Sequence, residues 1–335
     1  MKNRKISTLL ILCIALLAAG CNKDEGLKNY MVGKLSFSLP MYVEAGSEIS
    51  LDPTEVTLKD GSKAIGYTWE IPLFEIKDTT RVEKDPASIP AGTKITVKPV
   101  LKTITVNLTA WATGYYNSTA TQKTIVVDPS YDGSGSLTGF VKYSGDEQFT
   151  DPRDNTVYPY TQIGTQTWMR RNLRYQGKGH PVMDSPVMAK AFCQFYTWEE
   201  AQGVCPEGWR LPAESDWATL AKHLGCDDAK EGSTFVDIAG KMMLDASFNG
   251  EKLWEYWPEV TMSDESHFSA LPTGYGVNEN GSYTYPTFSS YAFFWSAEDR
   301  GESGAARYFS EKNNNVYYGF FDKNTIIGAV RCIKE

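Results

Sequence analysis

The composition and the hydrophobic pattern of the sequence change near residue 128, and this change predicts two parts with different folds. Before it, polar and apolar residues alternate in short runs. The clearest run is TITVNLTA, 103–110, in which Val106, Leu108 and Ala110 share one side, the period of a half-buried strand. After it lie seven of the nine tryptophans and four of the six cysteines. The sequence therefore predicts an all-β domain at 36–128, a linker at 129–148 and a second domain at 149–335.

The first domain reads as a two-sheet β-sandwich. Its short strands are separated by turn residues such as Asp60-Gly61, and Trp69 and Trp111 are the core candidates. The stretch VNLTAWATGYYNSTATQKTIVVDP resembles the last strands of a PKD or immunoglobulin-like module. That resemblance implies a spacer without chemistry of its own.

Residues 1–20 are predicted to be a signal peptide rather than part of the fold. A basic start is followed by an apolar run too short to span a bilayer. The run ends in LLAAGC, which resembles a bacterial lipobox with Cys21 as the lipidated residue. The alternative is an ordinary secretory signal followed by a chance cysteine. We expect a lipid anchor in the membrane, with residues 21–35 as a tether.

The tether begins with Lys23, Asp24 and Glu25. This tripeptide resembles the Lys-acid-acid signal that sends Bacteroidetes lipoproteins to the outer face of the outer membrane. The resemblance implies an outer-membrane protein, lipid-anchored and facing the cell exterior. The alternative is a charged, solvated tether without a signal.

Composition and charge exclude one class of partner. Apolar residues make up 41% of the chain and charged residues 22%, which is globular. The formal net charge is −8, and it falls further when the basic signal peptide is removed. Because an acidic protein repels phosphate backbones, we expect no nucleic-acid partner.

Four cysteines remain once the signal peptide and the lipidated residue are set aside: Cys193, Cys205, Cys226 and Cys332. An even number in an oxidising compartment predicts disulfides, and three pairings are open. No CxxC motif occurs and the three histidines are isolated, so we expect no metal and no cofactor.

The second domain resembles a known family. The carrying segments are FTDPRDNTVYPYTQIGTQTWMRRNLRY, YTWEEAQGVCPEGWRLPAESDWATL, FSALPTGYG, FFWSAED and the closing GAVRCIKE. In this order they resemble the Fibrobacter succinogenes major paralogous domain. Cys205 and Cys332 lie in the two most family-like blocks, which implies that they pair. Cys193 and Cys226 would then form a second bridge.

Local patterns within this domain predict two short helices. Thr197 and Glu200 have the spacing of a capping box. Beyond Leu211-Pro212, the apolar residues fall on one helical stripe that Gly225 closes; they are Trp217, Leu220, Ala221 and Leu224. The tryptophans here are therefore interpreted as core.

GWRLPAESDW and GAVRCI also resemble the formylglycine-generating enzyme superfamily, which implies a C-type-lectin-like α+β fold. That enzyme needs a close pair of copper-binding cysteines, and none is evident. The paired acids Glu214 and Asp216, and Glu199 and Glu200, are interpreted as helix-start residues. The alternative is general acid/base chemistry of the glycosidase type. We expect a protein that is not an enzyme.

Candidate ligand-binding residues are the clustered Trp254, Tyr256 and Trp257, with Tyr283 and Tyr285 in a later loop. Aromatic rings suit the apolar faces of sugars, although most large aromatics are core. The expected function is a non-catalytic binding module for glycans or for host or cell-surface proteins. The alternatives are a structural or envelope-assembly protein with protein partners and, third, an enzyme on the same scaffold.

Overall fold

The computed structural model of the 335-residue chain describes residues 28–63, 65–70, 93–97, 101–130, 133–140, 145–254 and 260–335. The protein is β-rich and multidomain. Its strands are β1 (Tyr42–Glu44), β2 (Glu48–Leu51), β3 (Gly66–Glu70), β4 (Thr93–Thr96), β5 (Thr103–Trp111), β6 (Ser118–Val127), β7 (Leu137–Thr138), β8 (Glu147–Thr150), β9 (Val157–Ile163), β10 (Gln166–Met169), β11 (His180–Pro181), β12 (Gln194–Phe195), β13 (Trp209–Arg210), β14 (Ser247–Phe248), β15 (Glu251–Lys252), β16 (Tyr275–Glu279), β17 (Ser282–Thr284), β18 (Tyr291–Arg300), β19 (Ser303–Ser310), β20 (Tyr317–Asp322), β21 (Ile326–Gly328) and β22 (Ile333–Lys334). The helices are α1 (Pro186–Ala191), α2 (Trp198–Ala201), α3 (Glu214–His223) and α4 (Ala239–Met242), with a 3-10 helix at Val182–Asp184.

The chain forms two compact units. The first takes Met1–Leu39, Ile49–Ile95 and Thr105–Lys123, and the second takes Pro40–Glu48, Thr96–Ile104 and Thr124–Glu335. The domain boundaries predicted at 36–128, 129–148 and 149–335 stay predictions.

In the first unit, the alternating pattern of β5 buries one side of the strand, as predicted. Val106, Leu108 and Ala110 are buried, and the residues between them are partly exposed. Strand β5 lies between β6 and β3 in its sheet. Trp69 of β3 is buried as predicted, but Trp111 is 48% exposed, so its assignment to the core is wrong. The reason is parity: Trp111 lies on the opposite side of β5 from Leu108.

In the second unit, the end of the chain lies inside a sheet. Strand β22 is hydrogen-bonded between β13 and β10 in the order β13-β22-β10-β9-β8. The disulfide Cys205–Cys332 joins residues next to this pairing, with a Cα–Cα distance of 6.0 Å and a sequence separation of 127. The first predicted bridge is therefore confirmed.

The second predicted bridge is wrong, because Cys193 and Cys226 are free, buried thiols. Each sulfur has its own surroundings. Burial raises the pKa of Cys193 to about 12, against the lowering effect of hydrogen bonds with Asn172 and Thr273. The Cys226 sulfur lies 3.6 Å from Asp228 Oδ1.

The helices begin and end as their sequences predict. Thr197 and Glu200 form the capping box of α2. In α3 the Asp216 carboxylate accepts a hydrogen bond from the Ala213 N–H, 2.7 Å. The predicted stripe is buried, and Gly225 follows it with φ of +99°. In the described part of the chain, no helix has the length and hydropathy needed to cross a membrane.

Buried arginines hold the second unit together. Arg307 and Glu214 form a fully buried ion pair, and Ser296 donates to the same carboxylate at 3.2 Å. Arg331 is buried and donates to the side chain of Asn172, 2.6 Å, and to two backbone carbonyls. Because an uncompensated buried charge costs several kcal/mol, these bonds are required for the fold.

Arg170 is another buried arginine, and it reaches the loop that contains Asp264. Its guanidinium bonds Asp146, 2.5 Å, and Ser269, 2.8 Å. The Asp264 carboxylate accepts from the N–H and the hydroxyl of Ser269, both at 2.7 Å. Burial raises the pKa of Asp264 to about 6, although Ser269 and the nearby arginines lower it.

Removing the Cys205–Cys332 disulfide tests its contribution to the stability of the second unit. Replacing both Cys205 and Cys332 by alanine is expected to lower the free energy of unfolding by about 5 kcal/mol, because the bridge closes so long a loop. Urea unfolding of the chain lacking residues 1–21 measures the loss. The matched control, Cys226→Ala, removes a free thiol and leaves the loop closed. Equal losses in the two variants would contradict this account.

The raised pKa of Asp264 predicts that the free energy of unfolding depends on pH. Its folded pKa of about 6 lies above the usual 3.8, so the folded state holds the proton more tightly. The stabilisation is fully present below pH 3.8 and is lost as the pH rises through about 6, up to about 3 kcal/mol. The difference in unfolding free energy between wild type and Asp264→Asn should therefore shrink by that amount between pH 4 and pH 7. The exposed neighbour variant Glu265→Gln is the control, and parallel curves for wild type and Asp264→Asn would refute the prediction.

Candidate functional site

The residues predicted to bind a ligand do not form an exposed aromatic surface. Trp254 is buried, and its indole N–H donates to the carbonyl of Leu244 at 2.9 Å. It fills the core, so its assignment as a ligand platform is wrong. Tyr256 and Trp257 lie outside the described residues.

Tyr283 and Tyr285 are described, and their hydroxyls are used inside the protein. The Tyr283 ring lies against His180, with centroids 4.4 Å apart and the hydroxyl 3.3 Å from Nε2. The Tyr285 hydroxyl donates to Asp184 at 2.6 Å, and burial raises its pKa. These tyrosines hold the segment 180–184, which contains left-handed residues, and they offer few free donors to a ligand.

The predicted lipidation and export residues also fall outside the described residues. These are Cys21, Lys23, Asp24 and Glu25. They stay predictions from the sequence.

The paired acids have structural partners. Glu214 bonds Arg307, and Asp216 bonds Arg210 at 2.6 Å. The carboxylate of Glu200 accepts from the N–H groups of Thr197 and Gly179. Within the described residues, no group of three or more His, Cys, Asp or Glu side chains could hold a metal ion.

Four tyrosines define a different candidate site on one side of the β18–β19–β20 sheet. We call Tyr275, Tyr291, Tyr308 and Tyr317 the tyrosine face. Tyr308 on β19 pairs with Phe293 on β18 and with Tyr317 on β20. Residues paired across neighbouring strands have their side chains on the same side of the sheet. The Tyr308 and Tyr317 rings stack with centroids 5.6 Å apart, and Tyr291 lies 6.4 Å from Tyr308. Tyr275 joins from β16.

Buried rings lie beside the tyrosine face, on the same side of the sheet. Phe293 contacts Tyr275, Trp295 and Phe321 at centroid distances of 5.4, 5.1 and 5.0 Å. The Trp295 indole donates to the carbonyl of Tyr196 at 2.8 Å, which fixes its orientation. Packing against these buried rings holds the tyrosines in place, so little side-chain entropy is lost when a ligand binds.

The four hydroxyls make no hydrogen bond to any residue that the structure describes, although the rings are half-buried. Burial raises the pKa of Tyr308, and the neighbouring tyrosines raise it further. The face therefore presents hydroxyl donors and acceptors on aromatic rings.

Comparison with known proteins gives the family. The model of the Fibrobacter succinogenes major domain matches residues 161–334. The chain belongs to this family. No curated protein and no solved structure matches the chain in the corresponding searches.

The matched Fibrobacter succinogenes major domain contains both halves of the disulfide and all four members of the tyrosine face. Sequence reasoning missed this face. The available signal was the alternation of aromatic residues in three late strands: SYAFFW, ARYFS and VYYGFF. At period two, each run places its alternate aromatic residues on one side of the sheet. The tyrosines of that side are half-buried, whereas Phe293 and Trp295 of the same side are in the core.

An open cleft of about 410 Å³ lies near the start of the matched domain. Its cationic lining residues already have protein partners. Arg153 bonds Asp151 at 2.6 Å, and Lys190 bonds Glu44 at 2.7 Å. Arg174 donates to the carbonyls of Lys190 and Val157. This cleft therefore carries less evidence for a ligand than the tyrosine face does.

Proposed function

We propose that this protein is a non-catalytic binding module whose ligand is a neutral glycan, held by the tyrosine face. The observation that carries the proposal is the set of four half-buried tyrosines whose hydroxyls have no protein partner among the described residues. Sugar rings have apolar C–H faces and hydroxyl edges, so they complement aromatic rings and free hydroxyls at one surface.

The composition of the tyrosine face favours a neutral sugar over an acidic one. An anionic ligand would be recognised by arginine or lysine, and the four residues that define the face include neither. The large hydrophobic side chains that are most exposed in the described residues lie elsewhere: Tyr30, Val32, Met41, Trp111, Tyr116, Val157 and Val236. An apolar protein interface would need such side chains at its centre.

Display at the cell exterior is part of the same proposal. The lipobox-like ending before Cys21 and the following Lys23, Asp24 and Glu25 support an outer-membrane lipoprotein that faces outward. A tether and a first domain of the PKD or immunoglobulin type would carry the binding domain away from the membrane.

A C-type-lectin-like fold related to the formylglycine-generating enzyme is proposed for the second domain on the GWRLP and VRC segments. The non-catalytic assignment is supported by the acids Glu214, Asp216 and Glu200, each of which is bonded to the protein. A structural or envelope-assembly role with a protein partner is the alternative.

A glycan screen tests the proposal. The detergent-solubilised chain is exposed to neutral plant, mucin and microbial glycans, and affinity for a retained glycan is measured by calorimetry. The double variant Tyr308→Phe/Tyr317→Phe keeps both rings and removes two hydroxyls. At about 1 kcal/mol for each lost hydrogen bond, affinity should fall about thirtyfold.

Tyr318→Phe is the matched control, because Tyr318 follows Tyr317 on β20 and points to the other side of the sheet, towards Arg307. It should bind with wild-type affinity. Equal affinity of the double variant and the wild type would refute the role of the tyrosine face. If no glycan of the panel binds, the result would favour the alternative of a protein partner.

A further inference from the structure

The first unit has an exposed tryptophan whose ring is held in a fixed orientation. Trp111 ends β5 and is 48% exposed. It pairs with Gly66 on β3, and a Cβ on Gly66 would collide with the indole ring. The ring therefore lies flat on the backbone of Gly66. Its N–H donates to the Thr68 hydroxyl at 3.2 Å, and this hydrogen bond prevents the ring from rotating away from Gly66.

A row of polar side chains continues from this ring across the same side of the sheet. We call Trp111, Thr68, Thr109, Asn107, Glu70 and Thr121 the tryptophan row. The register pairs Thr68 with Thr109 and Glu70 with Asn107, so all four share the side that carries Trp111. Leu108, between them, points into the core.

The far end of the row is a connected hydrogen-bonding group. The Thr121 hydroxyl donates to Asn107 Oδ1 at 2.8 Å, and Asn107 Nδ2 donates to Glu70 Oε2 at 3.3 Å. Thr121 and Glu70 are exposed, so their remaining lone pairs face solvent. Asn107 lies four residues from Trp111, about 13 Å along an extended strand.

We propose that the tryptophan row is a second glycan-binding site, in the first unit, for an extended neutral polysaccharide. One sugar ring would stack on the free face of Trp111, and the hydroxyls of later rings would bond the Asn107 group. The site is separate from the tyrosine face and goes beyond the function proposed for it.

The chemistry of the row determines the type of chain. Its one ionisable side chain is Glu70, which would repel an anionic polysaccharide and accept hydrogen bonds from sugar hydroxyls. A sheet side with one flat ring matches a ribbon-like β-1,4-linked chain, since successive rings of such a chain stay near one plane.

The test uses the detergent-solubilised full chain carrying Tyr308→Phe and Tyr317→Phe, so that the contribution of the tyrosine face is reduced. The neutral probes are soluble xyloglucan, mixed-linkage β-glucan and galactomannan, and polygalacturonic acid is the anionic comparison. We expect binding to at least one neutral probe, with Trp111→Ala weakening it about tenfold. Trp111→Phe, which keeps a ring but loses the bond to Thr68, should give a smaller loss.

Tyr116→Ala is the matched control, because it removes another exposed ring of the first unit, one that stacks on Tyr30 instead of a polar row. It should leave the affinity unchanged, and circular dichroism checks that each variant is folded. Failure of all three neutral probes to bind, preference for polygalacturonic acid, or equal affinity of Trp111→Ala and its parent would overturn the proposal. Because the parent and its Trp111 variants share the same weakened tyrosine face, a difference in affinity between them is independent of whether that face binds.

Discussion

The second unit depends on one buried cation, the guanidinium of Arg331. Burial lowers its pKa to about 9, which leaves it charged at neutral pH. Among the described residues it has no carboxylate within ion-pair distance, and it is satisfied by the Asn172 side chain and by the carbonyls of Met169 and Phe268. The Phe268 ring lies 4.4 Å from it. Each of these groups must be in place before the charge can be buried, which couples distant parts of the sequence.

The same terminal segment supports the proposed ligand surface. Next to Arg331, Cys332 is bonded to Cys205, and Ala329 accepts a hydrogen bond from the backbone N–H of Trp295. Trp295 belongs to the buried rings beside the tyrosine face. The end of the chain is therefore connected to the face through the backbone of β18. A ligand surface built on strands and buried rings in this way is better fixed than one on loops.

Local patterns in the sequence predicted local structure well. The strand at 103–110, the capping box at Thr197 and the stripe of α3 all appear in the structure. The Cys205–Cys332 pairing, which the family resemblance implied, is present as well. Errors arose where burial depends on distant strands. Trp254 was expected at the surface and is buried, whereas Trp111 was expected in the core and is exposed. The sequence alone does not say which side of a strand or loop meets the core. The tyrosine face depends on pairing between strands, and therefore a search for clustered aromatics along the chain misses it.

The most direct test of the tyrosine face is hydroxyl-radical footprinting of the full chain with and without a glycan retained in the screen. Oxidation of each aromatic side chain is read by mass spectrometry. The account predicts that the glycan protects Tyr291, Tyr308 and Tyr317 and leaves Tyr318 unchanged. Protection confined to other residues, such as those of the segment 254–257, would contradict it.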